Sequence, residues 1–340
     1  DERKAALNKD KTDGLTVDVV IPTFQPGKRL IGILECLEKQ TLPVRCVRII
    51  NSGRDGFRSF LEEAHLTEQQ FLESYPFVLL EHIPKEEFDH GRTRSKGFAA
   101  CVGADYVLAM TQDALPADEM LVERLARPLT ENADIAVSYA RQLSNPDAYC
   151  EERISRDFNY PAQSMIKSEE DTGRLGIKAY FCSNVCAMYR RATWEQLGGF
   201  PEHAIFNEDM VYAGRALQAG YRIAYAADAC VYHSHSYTAT QQFHRNFDLG
   251  VSQAQNPQIF ARFSSEGEGM QYVKAVIRQM RKEKKAGEIP GFVLRCAARF
   301  AGYRMGKAYE HLPEKLILRF TSNQGFWIQQ KQARLSTWRE

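Results

Sequence analysis

No apolar run approaches the roughly 18–20 residues of a membrane-spanning helix, and no internal repeat or low-complexity stretch occurs. Those absences, with an ordinary globular composition, exclude a disordered chain, a collagen-like repeat and a mini-protein that needs staples. No charged-then-apolar leader with a small-residue cleavage site opens the sequence, whose first residue is Asp1 rather than Met, so we expect a trimmed N-terminus. Eight cysteines are scattered through apolar contexts without one CxxC pair. They read as small hydrophobes, and a reduced, cytoplasmic compartment is the expectation. Net charge is nearly absent as well, at +1 from 44 Lys+Arg and 43 Asp+Glu.

What is present is a 340-residue chain, 44% hydrophobic and 26% charged, enough for a substantial core in one large domain or two smaller ones. The near-zero charge hides an asymmetry. Residues 274–340 carry 15 basic and 5 acidic side chains, a net of +10, and the remainder is −9.

Residues 1–16 are polar and read as a lead-in. Val17–Ile21 reads as a strand stopped by Pro22, and Leu30, Ile33, Leu34 and Leu37 then mark one face of a helix. Cys46–Ile50, Phe77–Leu80 and Asp105–Met110 read as further strands, with a helix from about Thr93 to Val102. This alternation, with strands apolar on both faces, predicts a mostly parallel α/β sheet covered by helices. Ligands bind such sheets outside the carboxyl ends of the strands. Thr23, Asn51 and Asp113 are therefore expected in one cleft. From about Ala140 to Ala179 periodicity is lost, and an irregular substrate-facing insertion is expected. Phe181–Arg190 reads as a strand, Thr193–Leu197 as a short helix, Asp209–Ala219 as a helix and Arg222–Tyr232 as a strand pair.

Four groups could carry chemistry. Asp113, directly after an apolar strand, is either an N-cap for a helix beginning near Pro116 or an oxygen ligand for a hard divalent ion on a diphosphate. Glu208 and Asp209 open a helix, where the macrodipole favours anions; alternatively one of them is a general base. Their side chains point about 100° apart, so both cannot aim at one hydroxyl. His233 and His235 share a face of an extended segment, as a metal half-site or as cleft lining. Arg92, Arg94 and Lys96 sit at a helix start, which suits an anion site or a solvated basic face.

In this order and spacing, Val19–Phe24, Asn51-Ser52-Gly53, Gly91–Gly97, Thr111-Gln112-Asp113, and Leu197–Phe200 followed by Asn207-Glu208-Asp209 resemble the family-2 inverting glycosyltransferases, nearest to the bacterial rhamnosyltransferase branch. The resemblance spans about residues 17–240. It implies a GT-A (Rossmann-like) domain over 17–240, with a nucleotide-sugar half (17–115) and an acceptor half (116–240), and a helical basic C-terminal region over 241–340. It places Pro22, Thr23, Phe24, Asn51, Ser52, Gly53, Arg92, Arg94, Gln112 and Asp113 on the nucleotide sugar. It puts Asp113 and His233 on Mg or Mn, and Cys182, Ser183 and Asn184 on the acceptor. Asp209 becomes the base and Glu208 its orienting neighbour. Thr111 stands where the family pattern has its first metal-binding Asp, and Asn51 stands where it usually has Asp. The implied donor is dTDP-L-rhamnose, with a UDP- or GDP-hexose as the alternative. The implied acceptor is a saccharide or lipid-linked glycan.

The basic region from Lys274 onward fits a peripheral contact with an anionic membrane surface, or else a solvated appendage or a contact in a homo-oligomer. Gly302 and Gly306 form a G-x-x-x-G of little weight outside a spanning helix. A nucleic-acid-binding protein lacks a recognisable module here, and we expect no nucleic-acid partner. A nucleotidyltransferase would need a Gly-rich loop after the first strand, and Gln25-Pro26-Gly27 is a poor one. A non-catalytic nucleotide-sugar-binding relative is a further alternative.

Overall fold

The computed structural model describes residues 14–145, 148–263 and 266–336, so most of the 1–16 lead-in lies outside the described residues. The strands are β1 (Val17–Thr23), β2 (Val44–Ser52), β3 (Val78–Ile83), β4 (Tyr106–Met110), β5 (Leu115–Pro116), β6 (Ile135–Leu143), β7 (Met165–Lys167), β8 (Cys186–Arg190) and β9 (Arg222–Tyr232). They form one sheet in the order β3-β2-β1-β4-β8-β6-β9-β5, with β7 on β9. The β3-β2-β1-β4 portion is parallel, β8 runs antiparallel between β4 and β6, and β6 is parallel to β9. Six strands thus point the same way, and their carboxyl ends share one edge.

The principal helices are α1 (Arg29–Glu38), α2 (Arg54–Glu63), α3 (Glu68–Ser74), α4 (His90–Ala99), α5 (Leu121–Glu131), α6 (Cys150–Asn159), α7 (Arg191–Gln196), α8 (Glu208–Gln218), α9 (Ala239–Gln255), α10 (Glu266–Lys282), α11 (Ile289–Lys307), α12 (Glu314–Phe320) and α13 (Gln324–Ser336). Leu30, Ile33, Leu34 and Leu37 of α1 are all buried, as their spacing predicts. Apolar side chains on one sheet face pack under α1, α2 and α5, and those on the other under α4 and α8. Val17, Val19 and Ile21 enter the first core and Val20 the second, so the continuous apolar run of β1 serves both faces. Asp18, the exception in that run, is fully buried and held by Arg45 at 2.6 and 2.7 Å.

Several local expectations are revised. The described residues between Ala140 and Ala179 include the end of β6, helix α6 and β7, which pairs with β9 across more than fifty residues of chain. Only Cys186–Arg190 of the expected Phe181–Arg190 strand is in the sheet, and Arg222–Tyr232 is one strand, irregular in its pairing with β6 after Ala226. No helix begins at Pro116, which lies in β5; α5 starts at Leu121. Gly302 and Gly306 do make a close helix contact. A Cβ there would lie 2.2 Å from the Phe243 carbonyl oxygen and 2.0 Å from that of Phe247, so α11 rests directly on the α9 backbone. Residue 240 falls inside α9.

Candidate active site

The carboxyl edge of the sheet gathers the expected groups. Thr23 Oγ1, at the end of β1, donates to Asn51 Oδ1 at 3.0 Å, and Asn51 Nδ2 reaches Gly53 O at 2.9 Å and His82 Nδ1 at 3.0 Å. Asn51 is fully buried and every polar atom of its side chain is engaged, so it braces the loop. Gln112 clasps the backbone of Phe24 twice, both bonds at 2.9 Å. Phe24 stays exposed beside Pro22, with Lys85 Nζ 5.3 Å from its ring. Ser52 Oγ is buried at this edge without a partner among the described residues.

Beyond Thr111, Asp113 meets the histidines that follow β9. Asp113 Oδ2 lies 2.9 Å from His235 Nε2, Asp113 Oδ1 lies 3.5 Å from His233 Nε2, and the two Nε2 atoms are 3.0 Å apart. Burial works to raise the Asp113 carboxyl, but the His235 hydrogen bond opposes it, and the carboxyl is held well below the usual carboxylate range. Burial pushes the His233 imidazole down to about 3, so it is neutral. Its tautomer follows from Gln142. The Arg156 guanidinium can only donate, so the oxygen of Gln142 faces it; His233 Nδ1–H then donates to that oxygen at 3.0 Å and Nε2 carries the lone pair. One ligand atom from each of Asp113, His233 and His235 lies within 4.8 Å of the others. A carboxylate and an unprotonated imidazole facing each other suit a divalent cation, and the outer hydrogen bond from Gln142 is the kind that orients a metal-binding histidine. The residues present fit such an ion. His235 joins Asp113 and His233 in this group, and the N-cap reading of Asp113 falls away.

The acidic pair sits at the N-terminus of α8. Asn207 turns the chain there with φ +60°, a conformation Asn tolerates better than most residues. Glu208 points inward, where its Oε1 forms an ion pair with Arg94 NH1 at 3.0 Å and accepts from Asn184 Nδ2 at 3.0 Å. Asn184 Oδ1 in turn accepts from Tyr189 OH at 2.7 Å. Burial alone would raise the Glu208 carboxyl, but Arg94 holds it below its ordinary value. Asp209 turns the other way and is half-buried, its oxygens accepting from the Asn184 and Met210 amides, both at 2.8 Å. Burial first, and then the negative charge of Glu208, push its carboxyl up to about 7. Two adjacent carboxylates are thus split: one stays ionised in an ion pair, while the other titrates near neutrality with a free lone pair on each oxygen.

Other expected residues sit differently. Arg94 is buried against Glu208 rather than open to a ligand. Arg92 leaves the cleft, donating to Glu87 O and to Gln329 Oε1, both at 2.9 Å. Cys182 is buried in the core near the Tyr189 hydroxyl; Ser183 and Asn184, its neighbours, are less enclosed or hydrogen-bonded into the site. Asp89 has a role its sequence context did not show. It caps α4 through Gly91 N and Arg92 N at 2.9 Å and also accepts from Ala204 N at 3.2 Å. That stitches the loop before Asn207 to α4. Gly91 permits it, because a Cβ there would lie 1.9 Å from the Pro201 carbonyl oxygen.

Residues 18–198 match the family described as glycosyl transferase family 2. The chain is 42% identical to the O-antigen chain rhamnosyltransferase WbaN of Salmonella anatum, over 91% of this chain and 95% of that one. It is 35% identical to the O-antigen chain rhamnosyltransferase RfbN of Salmonella typhimurium, over 92% and 96%. Among solved structures, the mannosyltransferase PcManGT from Pyrobaculum calidifontis, in complex with GDP-Man and Mn2+, superposes with a TM-score of 0.55 at 13% identity, covering 92% of this chain and 95% of that one.

Proposed function

The chain belongs to glycosyl transferase family 2 and is a GT-A glycosyltransferase, and from that premise we propose that it moves L-rhamnose from dTDP-L-rhamnose to a growing O-antigen glycan, with inversion and with Asp209 as general base. The donor sugar and the O-antigen acceptor rest on the two relatives. The base rests on the split of the Glu208–Asp209 pair, the observation that carries the reading.

In this mechanism the donor lies along Thr23, Phe24, Asn51, Ser52, Gly53 and Gln112, and the acceptor hydroxyl approaches from the side of Ser183 and Asn184. The Asn184 and Met210 amides fix the Asp209 carboxylate. Its remaining lone pair takes the proton of the acceptor hydroxyl as the oxygen bonds to the anomeric carbon and the nucleoside diphosphate departs. A carboxyl near 7 is half ionised at working pH and basic enough to accept that proton. Glu208 sustains this by holding its charge beside Asp209, and Arg94 keeps Glu208 ionised. Asp113, His233 and His235 would hold Mg or Mn, whose charge, when bound, offsets that of the diphosphate. Fixing donor and acceptor together contributes several kcal/mol more.

Asp209→Asn tests this reading. We expect a loss of about 10²–10⁴-fold in kcat, the span of one general base, with dTDP affinity unchanged by calorimetry. Retained turnover in that variant removes the assignment.

The C-terminal region supports an anionic membrane contact as part of the same reading. Val293, Leu294 and Phe300 are exposed on α11, within a segment of net +10. Among the described residues no helix is long and apolar enough to cross a membrane. Phe300→Glu should reduce cosedimentation with anionic vesicles, and undiminished binding removes the contact.

A further inference from the structure

Lys167 ends β7 and is 3% exposed, the one buried lysine among the described residues. No carboxylate pairs with it among those residues. Asp171, the acidic side chain that acts on it, is turned instead to Ser168 N at 2.9 Å and Arg174 NH2 at 2.6 Å. Burying an amine without a counter-charge is costly, and burial pushes this one down to about 7. Its hydrogens are nevertheless fully used. The Tyr139 hydroxyl and the Lys178 carbonyl lie 3.2 Å from Nζ, and the Phe181 carbonyl accepts from it as well. The Tyr139 ring centre, at 4.9 Å, braces the amine from the side. Lys178 belongs to the 3₁₀ turn Gly176–Tyr180 and Phe181 follows it, so the amine closes the end of that turn, where backbone acceptors run short of partners. Titration does not release this hold. A neutral amine still gives one hydrogen to each carbonyl and can accept from the Tyr139 hydroxyl.

The chain that leaves Phe181 is the arc that holds the base. Cys182 is buried, and Ser183 Oγ accepts from Gln142 Nε2 at 3.0 Å. The Asn184 amide donates to Asp209 Oδ2 at 2.8 Å, and its side chain donates to Glu208 at 3.0 Å. Downstream, the sheet fixes the arc, with Cys186 of β8 standing opposite Met110. Upstream, the arc lies outside the sheet, and Lys167 ties it to β7 and through that strand to β9.

Resting on the transferase reading above, we infer that Lys167 is a positioning residue for the base: by holding the Lys178 and Phe181 carbonyls it sets the Asn184 amide against the Asp209 carboxylate. It acts through Asn184, not by contact with the reacting atoms. Asp209 is faced by Glu208 and Arg94, and by the side chains of Cys182, Tyr160 and Tyr189. Lys167 is faced by Cys182, Asp171 and Tyr139. An amide bonded to a carboxylate favours its ionised form, so loosening that amide raises the carboxyl further.

Carbon-13 NMR titration of the aspartate carboxyls in the full chain, with the Asp209 signal identified by its loss in Asp209→Asn, tests this without turnover. In Lys167→Met the Asp209 midpoint should rise by about one pH unit, the scale of one weakened hydrogen bond to a charged group. At pH 7 the ionised fraction then drops, and kcat/KM should fall about 5-fold while dTDP affinity stays within about 2-fold. Lys167→Arg keeps donors for both carbonyls and should return the midpoint toward that of the parent. Should Lys167→Met fail to fold, Lys167→Gln carries the test and should give a smaller rise. The midpoint belongs to the folded molecules, so a residue that only stabilises the fold would lower the melting temperature and leave Asp209 titrating as before. That result overturns the proposal. An equal rise in Lys167→Arg and Lys167→Met overturns it too, because the shift would then come from disturbed packing. Turnover by Asp209→Asn would remove Asp209 as base and leave this titration readable, whereas an unmoved Asp209 midpoint removes Lys167 alone.

Discussion

On the wall of the cleft formed by the loops after β1 and β2, polar side chains mostly satisfy one another. Thr23 is bonded to Asn51, Asn51 to Gly53 and His82, and Gln112 to the Phe24 backbone. On the facing wall, charges are held away from their ordinary values: Asp209 is raised, Glu208 is kept ionised by Arg94, and His233 is kept neutral beside Asp113. The first wall is a preformed shape, suited to receiving a ligand by its backbone and rings. The second stores electrostatic work, and reaction steps that move protons and charge belong there. We read the two walls as a division between ligand recognition and chemistry.

The sharpest way to break this division is to remove a charge from the second wall. Arg94→Ala leaves Glu208 buried and uncompensated, and urea unfolding should show a loss of about 3–5 kcal/mol. A loss below about 1 kcal/mol would mean that the pair is solvent-screened and the division is overstated. Next in size is Asp113→Ala, which should weaken Mn- or Mg-dependent dTDP affinity by about 10–100-fold and leave metal-free binding as it was; superimposable metal titrations in variant and parent would remove Asp113 from the cation group. Smallest is Asn51→Ala on the first wall. It orphans the Thr23 hydroxyl and should cost about 1–2 kcal/mol of stability, with no change in the pH dependence of transfer. A shifted pH profile in that variant would show that the walls are coupled.

The first wall was also the more legible in sequence. Its strands are short apolar runs, and the helix between the first two repeats its leucines and isoleucines at helical spacing, so local pattern and tertiary role agree. The second wall is assembled from distant segments. Polar α6 reads as loop because it buries only Glu151 and Ile154, and β7 is three residues whose partner is β9. The positions of Asp113 and Asp209 followed from strand ends and helix starts, and the resemblance set His233 beside Asp113, but the pairing of Glu208 with Arg94 and the amides that hold Asp209 did not follow. Arg94 at a helix start looks free for an anion. Only the loop stitched down by Asp89, with Asn207 in its left-handed turn, brings Glu208 to it. Gly302 and Gly306 were visible as a motif, but their partner is the backbone of α9, about sixty residues earlier, which no local signal marks.

The central claim is that Glu208 and Asp209, adjacent in sequence, are driven to opposite protonation behaviour so that Asp209 can act as base. The pH dependence of kcat/KM, measured at saturating metal, tests it most directly. Because transfer needs the ionised carboxylate, the rate should be low in acid, climb with pH through a midpoint near 7, and level off above it. Glu208→Gln removes the neighbouring negative charge and should move that midpoint toward acid in whatever activity remains. A parent midpoint near that of an ordinary carboxylate, or one that Glu208→Gln leaves in place, would contradict the account.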